Sequence, residues 1–271
     1  MLTFVPAPIG NLGDISFRTI EVLKGGELIL CEDTRVTKKL LQLISQRYEI
    51  TFPKFDFISL HSHNEQKFLN DEAKQLFESK NCIYMSDAGM PCVSDPGSYL
   101  VDFCLEYEIE YDVLPGANAI LTAYASSGFN DTKFSFFGFL PHKGMNRDQE
   151  LQKVLDNEYL SILYESPHRL LKLLKQLNDL APDKEIFLAK ELTKKFQTRY
   201  KGVVCDIYEE LKTKEIKGEW VVVIKNEYNG SKGVISLDDI KDLKLPPKQK
   251  AKLISKLTGE NVKDIYNQLI G

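Results

Sequence analysis

Short apolar runs alternate with stretches of helical spacing along most of this chain. In the first part, runs rich in β-branched and aromatic residues predict five strands, at 2–6, 27–31, 57–61, 82–86 and 109–114. Between them, apolar residues recur at intervals of three and four and predict helices over 15–24, 34–44, 64–79 and 96–107. Strands that alternate with helices in this way form βαβ units on a mostly parallel sheet.

The pattern repeats beyond Pro115, where we place a domain boundary. A helical stretch over 118–127 precedes apolar runs that predict four more strands, at 134–140, 159–164, 184–189 and 219–225. The polar peptide Asn229-Gly-Ser-Lys-Gly233 is then typical of a flexible linker, and two or three short helices follow it. The predicted fold class is α/β, with domains at 1–115 and 116–229 and a small helical tail at 230–271.

The composition narrows the classes of protein to consider. With 43% hydrophobic and 27% charged residues the chain is of the globular type. It has no basic leader and no apolar run of about 18 residues, so we expect neither secretion nor a membrane. Its five cysteines form no Cys-x-x-Cys pair, which predicts reduced thiols in the cytoplasm and no metal site.

Charge along the chain is uneven. The net charge of −4 argues against binding of nucleic acid through bulk positive charge, so any such binding needs a local patch. Residues 190–201 carry five basic residues against Glu191, with Phe196 and Tyr200 between them, and residues 241–256 carry six lysines against Asp242. Both stretches are candidate RNA surfaces, although an exposed hairpin or a solvated helix face has the same composition.

Unusual peptides follow the five strands of the first part. Glycine, proline and polar residues are concentrated at 8–14, 32–35, 61–64, 87–91 and 115–119. In open α/β sheets ligands bind beyond the carboxyl ends of the strands, so these loops are expected to converge on one cleft. Small residues there let a backbone approach a flat ligand closely.

A pyridine nucleotide is one candidate ligand for such a cleft. Gly10-Asn-Leu-Gly13 opens a helix, and Glu32 and Asp33 follow about twenty residues later, as in a dinucleotide fingerprint. Pro8 stands where that fingerprint has its first glycine, so the motif is incomplete. An oxidoreductase stays open as an alternative that calorimetry with the dinucleotide would reveal.

Eight peptides in order carry a resemblance to a known family. From about residue 3 to 271 the chain resembles the bacterial 16S ribosomal RNA (cytidine-2'-O)-methyltransferases of the tetrapyrrole methylase superfamily. The peptides are Pro8-Ile-Gly-Asn-Leu-Gly-Asp14, Glu32-Asp-Thr-Arg35, His61-Ser-His-Asn-Glu65, Ser86-Asp-Ala-Gly-Met-Pro91, Ser94-Asp-Pro-Gly97, Pro115-Gly-Ala-Asn-Ala119, Tyr164-Glu-Ser-Pro-His-Arg169 and Lys190-Glu-Leu-Thr-Lys194.

The resemblance implies two α/β domains with S-adenosylmethionine in the cleft between them, and a homodimer. It implies methylation of the ribose 2'-hydroxyl of a decoding-centre cytidine in the 16S RNA of the small ribosomal subunit. Met90 and Asn118 stand where related chains often have threonine and serine. The donor-binding residues it implies are Ile9, Ala88, Gly89, Met90, Val93, Asn118, Ala119, Glu165 and Leu192.

Further roles are expected from the chemistry of the reaction. The donor is a sulfonium cation, which a carboxylate such as Asp87 suits, and a base is expected to take the hydroxyl proton from the acceptor. Asp33 and His63 are the candidate bases. The candidate RNA contacts are basic residues that reach phosphates, namely Arg18, Arg35, Lys190, Lys194, Lys195 and Arg199.

Two rival functions share these features. A tetrapyrrole C-methyltransferase of corrin or sirohaem synthesis would have the same fold and donor loops, but the tail and the peptides at 32–35 and 164–169 argue against it. A non-catalytic RNA-binding assembly factor would keep the donor pocket without transferring the methyl group.

Overall fold

The computed structural model describes residues 1–61, 63–226 and 237–270, and the chain divides into two compact units. The first unit is Met1–Asn226 and the second is Glu227–Gly271. Within the described residues, no helix has both the length and the apolar composition needed to cross a bilayer.

The first five strands form one parallel sheet with the order β3-β2-β4-β1-β5. Every residue of β1, β2 and β4 is buried, because helices cover both faces of the sheet. The strands are β1 (Leu2–Val5), β2 (Leu28–Cys31), β3 (Asp56–Ser59), β4 (Cys82–Met85) and β5 (Tyr111–Val113). The helices between and after them are α1 (Phe17–Gly25), α2 (Thr34–Tyr48), α3 (Glu65–Phe68), α4 (Asp71–Ser79) and α5 (Ser98–Glu106).

One predicted helix of this part is two helices. The stretch 64–79 breaks between α3 and α4, where the Asn70 side chain accepts a hydrogen bond from Ala73 N at 3.0 Å and starts a new helix. The helix predicted over 15–24 is α1, whose start is capped by the Ser16 side chain and whose last residue is Gly25. Helix α2 continues one turn beyond the predicted end.

The second sheet has the order β6-β7-β10-β8-β9 and differs from the expected parallel arrangement. Only β6 and β7 pair in parallel, and the other three pairings are antiparallel. The prediction of a mostly parallel sheet is therefore wrong for this half. The strands are β6 (Phe134–Phe139), β7 (Leu160–Glu165), β8 (Glu185–Lys190), β9 (Thr198–Val203) and β10 (Trp220–Ile224), and the helices are α6 (Ala119–Ser127), α7 (Met145–Asp156), α8 (Pro167–Leu180) and α9 (Val204–Leu211).

Strand β9 was not expected as a strand. It lies at the edge of the second sheet and its residues are exposed or half-buried, so its sequence lacks a continuous apolar run. The two sheets lie on either side of Pro115 in the sequence. A domain boundary there stays a prediction, because Met1–Asn226 is one compact unit.

The second unit is helical. Its described part contains α10 (Leu237–Asp242), α11 (Pro247–Thr258) and α12 (Val262–Ile270). Ile240, Ala251, Ile254 and Ile265 form its small core. The predicted linker at 229–233 lies outside the described residues.

Candidate active site

The loops that follow β1 and β4 are joined by a reciprocal pair of backbone hydrogen bonds. Ala7 N donates to Gly89 O and Gly89 N donates to Ala7 O, both at 2.9 Å, and Ser86 Oγ donates to Gly89 O at 3.1 Å. Gly89 has a φ of +77°, a left-handed conformation that residues with a Cβ disfavour. This glycine lets the second loop fold back against the first at the carboxyl edge of the sheet.

A cavity of about 390 Å³ lies at this edge. Loops of the first part line one side, and residues at the ends of β6, β7 and β8 line the other. The start of β10 also contributes, since β10 runs antiparallel to β7 and β8 and its amino end meets their carboxyl ends. The lining residues are Ile9, Ala88, Gly89, Met90, Val93, Ser94, Asp95, Asn118, Ala119, Phe139, Tyr164, Glu165, Ser166, Pro167, Ala189, Leu192, Glu219, Trp220 and Val221.

The structure brings nearly all the expected donor-binding residues together on this cavity. The exception is Asp87, which is not part of the lining; its Oδ1 accepts a hydrogen bond from Asp33 N at 3.3 Å. Burial raises the pKa of Asp87, and the charge of Asp33 raises it further. Asp87 therefore holds the start of α2 beside the loop after β4, and it lies outside the lining of the cavity.

Several lining residues were not expected from the sequence. Phe139 and Trp220 belong to strands, where an aromatic residue is ordinarily a core residue, and only the packing of the two sheets turns them toward a ligand site. Asp95 lies in the peptide Ser94-Asp-Pro-Gly97, which is part of the family resemblance, but it was not among the expected donor-binding residues. The start of α5 just after this peptide is capped by Glu65, whose Oε1 accepts hydrogen bonds from Gly97 N at 3.0 Å and Leu100 N at 3.2 Å.

Glu165 lies in a buried ion network. Its carboxylate is 2.7 Å from Arg169 Nε and 3.4 Å from Arg147 Nη2, and Ser166 N donates to it at 2.9 Å. The Arg147 side chain is only 1% exposed and also donates to Gln176 Oε1 and Pro141 O. Because a buried charge needs both a counter-charge and hydrogen bonds, this network fixes the wall of the cavity formed by β7.

Neither expected base lines the cavity. The Asp33 carboxylate accepts hydrogen bonds from Arg35 N at 2.8 Å and from the Arg35 guanidinium at 2.6 Å, and these bonds lower the pKa of Asp33 to about 2. The carboxylate caps α2 and is a poor proton acceptor. His63 is exposed, with its ring centroid 6.0 Å from that of His61. Asp33 is therefore unsuited to the role of base, whereas the role of His63 stays a prediction.

The basic residues that were expected to contact RNA differ in whether they already interact with other side chains of the protein. Arg18 pairs with Asp112, Arg35 with Asp33, and Lys190 lies 5.9 Å from the centre of the Trp220 ring. Lys194 lies between the carboxylates of Glu191 and Glu219, at 2.9 and 2.8 Å, and its stem fills the space beside Gly10. Lys194 is therefore a structural link between two loops, and its expected contact with RNA stays a prediction. Lys195 and Arg199 are exposed.

Comparisons with known proteins agree with this geometry. The sequence profile of the tetrapyrrole (corrin/porphyrin) methylases matches residues 1–207. The chain belongs to this family. It is 48% identical over its full length to a ribosomal RNA small subunit methyltransferase I of Campylobacter fetus, which it covers completely. It is 48% identical to the protein of that name in Helicobacter pylori, with 99% of this chain and 97% of the relative covered.

The fold has solved counterparts. A uroporphyrin-III C-methyltransferase of Thermus thermophilus, solved in complex with S-adenyl homocysteine, superposes with a TM-score of 0.56 at 14% identity and covers 82% of this chain and 96% of its own. The chain is a methyltransferase of the tetrapyrrole methylase family.

Proposed function

We propose that this methyltransferase binds S-adenosylmethionine in the cavity and methylates the ribose 2'-hydroxyl of a decoding-centre cytidine in 16S ribosomal RNA. The observation that carries the proposal is the cavity itself, where the loops after β1 and β4 meet the residues around Glu165 and Leu192. The full-length relationship to small-subunit RNA methyltransferases supports the acceptor.

The residues of the cavity fit this donor. The volume of about 390 Å³ lies in the range of small-molecule sites, roughly 300 to 1,000 Å³. Among the described residues, the lining contains no lysine, arginine or histidine but does contain three carboxylates, Asp95, Glu165 and Glu219. Such a lining suits a cationic sulfonium compound and offers no counter-charge to the pyrophosphate of a dinucleotide. This is the physical reason to prefer the methyl donor over a pyridine nucleotide.

The main contribution of the protein to the reaction is to orient the donor and the acceptor. When bound, the donor supplies a methyl group activated by the positive charge on its sulfur. Backbone groups around Gly89 and the apolar side chains of Ile9 and Leu192 bind and orient it and exclude water. Alignment of acceptor and donor by the protein accounts for a large share of the rate of such a transfer.

RNA is expected to contact basic side chains that are free to meet phosphates. In the first unit these are Lys195 and Arg199, with Phe196 beside them; its ring is 71% exposed and lies 5.5 Å from Lys195 Nζ. The second unit adds exposed lysines on and beside α11, namely Lys244, Lys248, Lys252 and Lys256. We further propose that the enzyme works in the cytoplasm as a homodimer, which doubles this basic surface.

An assay with a labelled methyl group tests the proposed function. Purified enzyme and labelled donor are incubated with small subunits from cells that lack the modification, and the nucleosides are then identified by mass spectrometry. Transfer of the label to one cytidine, recovered as 2'-O-methylcytidine, is the expected result. Transfer to a porphyrinoid acceptor instead, or donor binding without transfer to RNA, contradicts it and supports one of the two rival functions.

A further inference from the structure

The loop that follows β6 lies at the mouth of the cavity and carries basic side chains without partners. Phe139, the last residue of β6, lines the cavity and is 57% exposed, and the β6–α7 loop of residues 140–144 follows it directly. His142 and Lys143 in this loop are exposed. Among the residues that the structure describes, neither side chain has a hydrogen bond, an ion pair or a ring contact. Both can therefore meet an external ligand.

Two arginines hold the backbone of this loop. Arg169 Nη2 donates a hydrogen bond to Leu140 O at 2.9 Å, and Arg147 Nη1 donates one to Pro141 O at 3.1 Å. The same two guanidinium groups contact the carboxylate of Glu165, which lines the cavity. Because one network fixes both the loop and the cavity wall formed by β7, the loop keeps a defined position beside the cavity.

The surface of this region is basic and apolar. Residues 139–146 contain no acid, and Met145 at the start of α7 is 74% exposed. The nearest acid along the chain, Asp148, accepts a hydrogen bond from Gln176 Nε2 at 3.0 Å. A lysine beside exposed apolar side chains fits a ligand that combines an anionic group with a flat apolar face, as a nucleotide does.

A similar pair of side chains lies at the other edge of the second sheet. The sheet order places β6 at one edge and β9 at the other, about four strand spacings or roughly 19 Å apart. The segment between β8 and β9 carries the exposed Lys195 beside the exposed ring of Phe196. Since the ends of β6, β7 and β8 all line the cavity, the cavity lies between these two basic regions.

The charge of the cavity restricts where the phosphates of an acceptor can lie. The lining contains three carboxylates and, among the described residues, no basic side chain. Because like charges repel, an RNA strand with a 2'-hydroxyl at the cavity must keep its phosphates outside the lining. Basic groups on both sides of the mouth attract the phosphates that flank the reacting nucleotide.

We propose that the β6–α7 loop is a docking surface for the single-stranded acceptor segment of the RNA. Lys143 binds a phosphate on one side of the reacting nucleotide, and Met145 packs against a neighbouring base. The segment between β8 and β9 binds the strand on the other side of the cavity. The inference rests on the proposed function and adds to it the residues that align the acceptor with the donor.

The kinetic test compares Lys143→Glu with Lys24→Glu. Lys24 is an exposed lysine in the last turn of α1, at the amino edge of the first sheet, whereas the cavity lies at the carboxyl edge. Lys143→Glu should raise KM for small subunits by about 10-fold, because it replaces attraction to a phosphate with repulsion. Its kcat should change by less than about 2-fold, since the contact is made before and during the transfer alike. Lys24→Glu and the charge-preserving Lys143→Arg should behave as wild type.

The salt dependence of binding counts the phosphate contacts. Filter binding of deproteinised 16S RNA should show that Lys143→Glu reduces the slope of log K against log salt by about 0.7, the value for one contact on a single strand. Lys143→Glu combined with Lys195→Glu should reduce the slope by about twice as much, because one strand contacts both edges. Met145→Ser should weaken binding by about 3-fold with an unchanged slope, since it removes apolar area but no charge.

Donor binding separates a docking surface from a part of the donor site. Calorimetry with S-adenosylhomocysteine should give the wild-type affinity for each of these variants, and this result also shows that the variants are folded. A loss of donor affinity in Lys143→Glu would assign the loop to the donor site and overturn the inference.

Three further outcomes overturn it. A Lys143→Glu enzyme with wild-type KM and salt slope shows that RNA does not contact this loop. An equal rise in KM for Lys24→Glu shows that net charge sets the affinity. A raised KM for subunits together with unchanged binding of deproteinised RNA shows that the loop contacts a protein of the subunit. Failure of the wild type to methylate RNA is a separate result, which contradicts the proposed function.

Discussion

At the scale of single residues, the site depends on positions where the backbone needs an unusual conformation. Gly97 has a φ of +120° and lies against the ring of Tyr84 and the sulfur of Cys92. Glu65, only 2% exposed, caps α5, which begins just after Gly97. These contacts position Asp95 although neither residue lines the cavity.

The packing at Gly97 leads to a prediction for stability. Gly97→Ala combines a positive φ with a Cβ at 2.7 Å from the Tyr84 ring, so it should lower the free energy of unfolding by about 2 to 4 kcal/mol. Gly144→Ala is the control, since Gly144 also has a positive φ, of +82°, but open space around it. It should cost only about 1 kcal/mol. Urea denaturation measures both, and equal losses would contradict the steric explanation.

The raised pKa of Asp95 predicts how stability depends on pH. Between the ordinary aspartate pKa of 3.8 and the raised pKa of about 7, the folded protein binds a proton that the unfolded chain has lost, so Asp95 lowers the stability as pH rises through this window. The full shift corresponds to about 4 kcal/mol at 1.36 kcal/mol per pKa unit, and solvent screening reduces it to about 1 to 2 kcal/mol.

Asp95→Asn should therefore be more stable than wild type at pH 8 and gain less at pH 5, as measured by urea denaturation at both values. A gain independent of pH would show that Asp95 does not titrate in this window. The same substitution is expected to stabilise the fold and to lower the activity, as is common for strained active-site groups.

At the scale of secondary-structure elements, the direction of β10 decides which of its residues line the cavity. In a parallel second sheet, the amino end of β10 would lie at the far edge, away from the loops of the first part. Because β10 is antiparallel to both neighbours, Glu219, Trp220 and Val221 reach the same edge as Glu165 and Ala189.

Helices α7 and α8 are joined to this edge by a buried arginine. Arg147→Met should lower the free energy of unfolding by about 3 kcal/mol, because it leaves part of the Glu165 charge buried without its partner. Lys153→Met, an exposed position on the same helix, should change it by less than about 0.5 kcal/mol. Thermal or urea denaturation distinguishes the two, and a stability equal to wild type for Arg147→Met would show that Arg169 alone neutralises Glu165.

At the scale of the whole molecule, the problem is how a chain of net charge −4 binds RNA. Basic residues that are tied in ion pairs, such as Lys194, contribute little to an RNA surface, whereas exposed ones such as Lys195 and Arg199 keep their charge available. The surface is thus smaller than the composition of 190–201 indicates.

The double variant Lys195→Glu and Arg199→Glu should weaken RNA binding and reduce the slope of log K against log salt by about 1 to 2, since each lost phosphate contact on single-stranded RNA lowers it by about 0.7. The control is Lys153→Glu with Lys175→Glu, which changes the net charge equally at exposed positions that are paired with acids. Filter binding over a range of salt concentrations tests both. Parallel slopes for the two double variants would show that RNA binds elsewhere.

Much of this protein could be read from local sequence. The strands of the first sheet are continuous apolar runs, Ser16 and Gly25 mark the ends of α1, and glycine-rich loops follow the strands. These features could be predicted because each signal depends on residues that are close together in the chain. The same loops contain most of the residues that were expected to bind the donor, and all of these except Asp87 line one cavity.

The remaining features depend on contacts between residues far apart in the chain. The antiparallel pairing of β10, the wall formed by Phe139 and Trp220, and the capture of Lys194 by Glu219 arise from partners 25 or more residues away. The environment of Asp95 depends on packing in the same way, because burial and nearby charges are properties of a site in three dimensions.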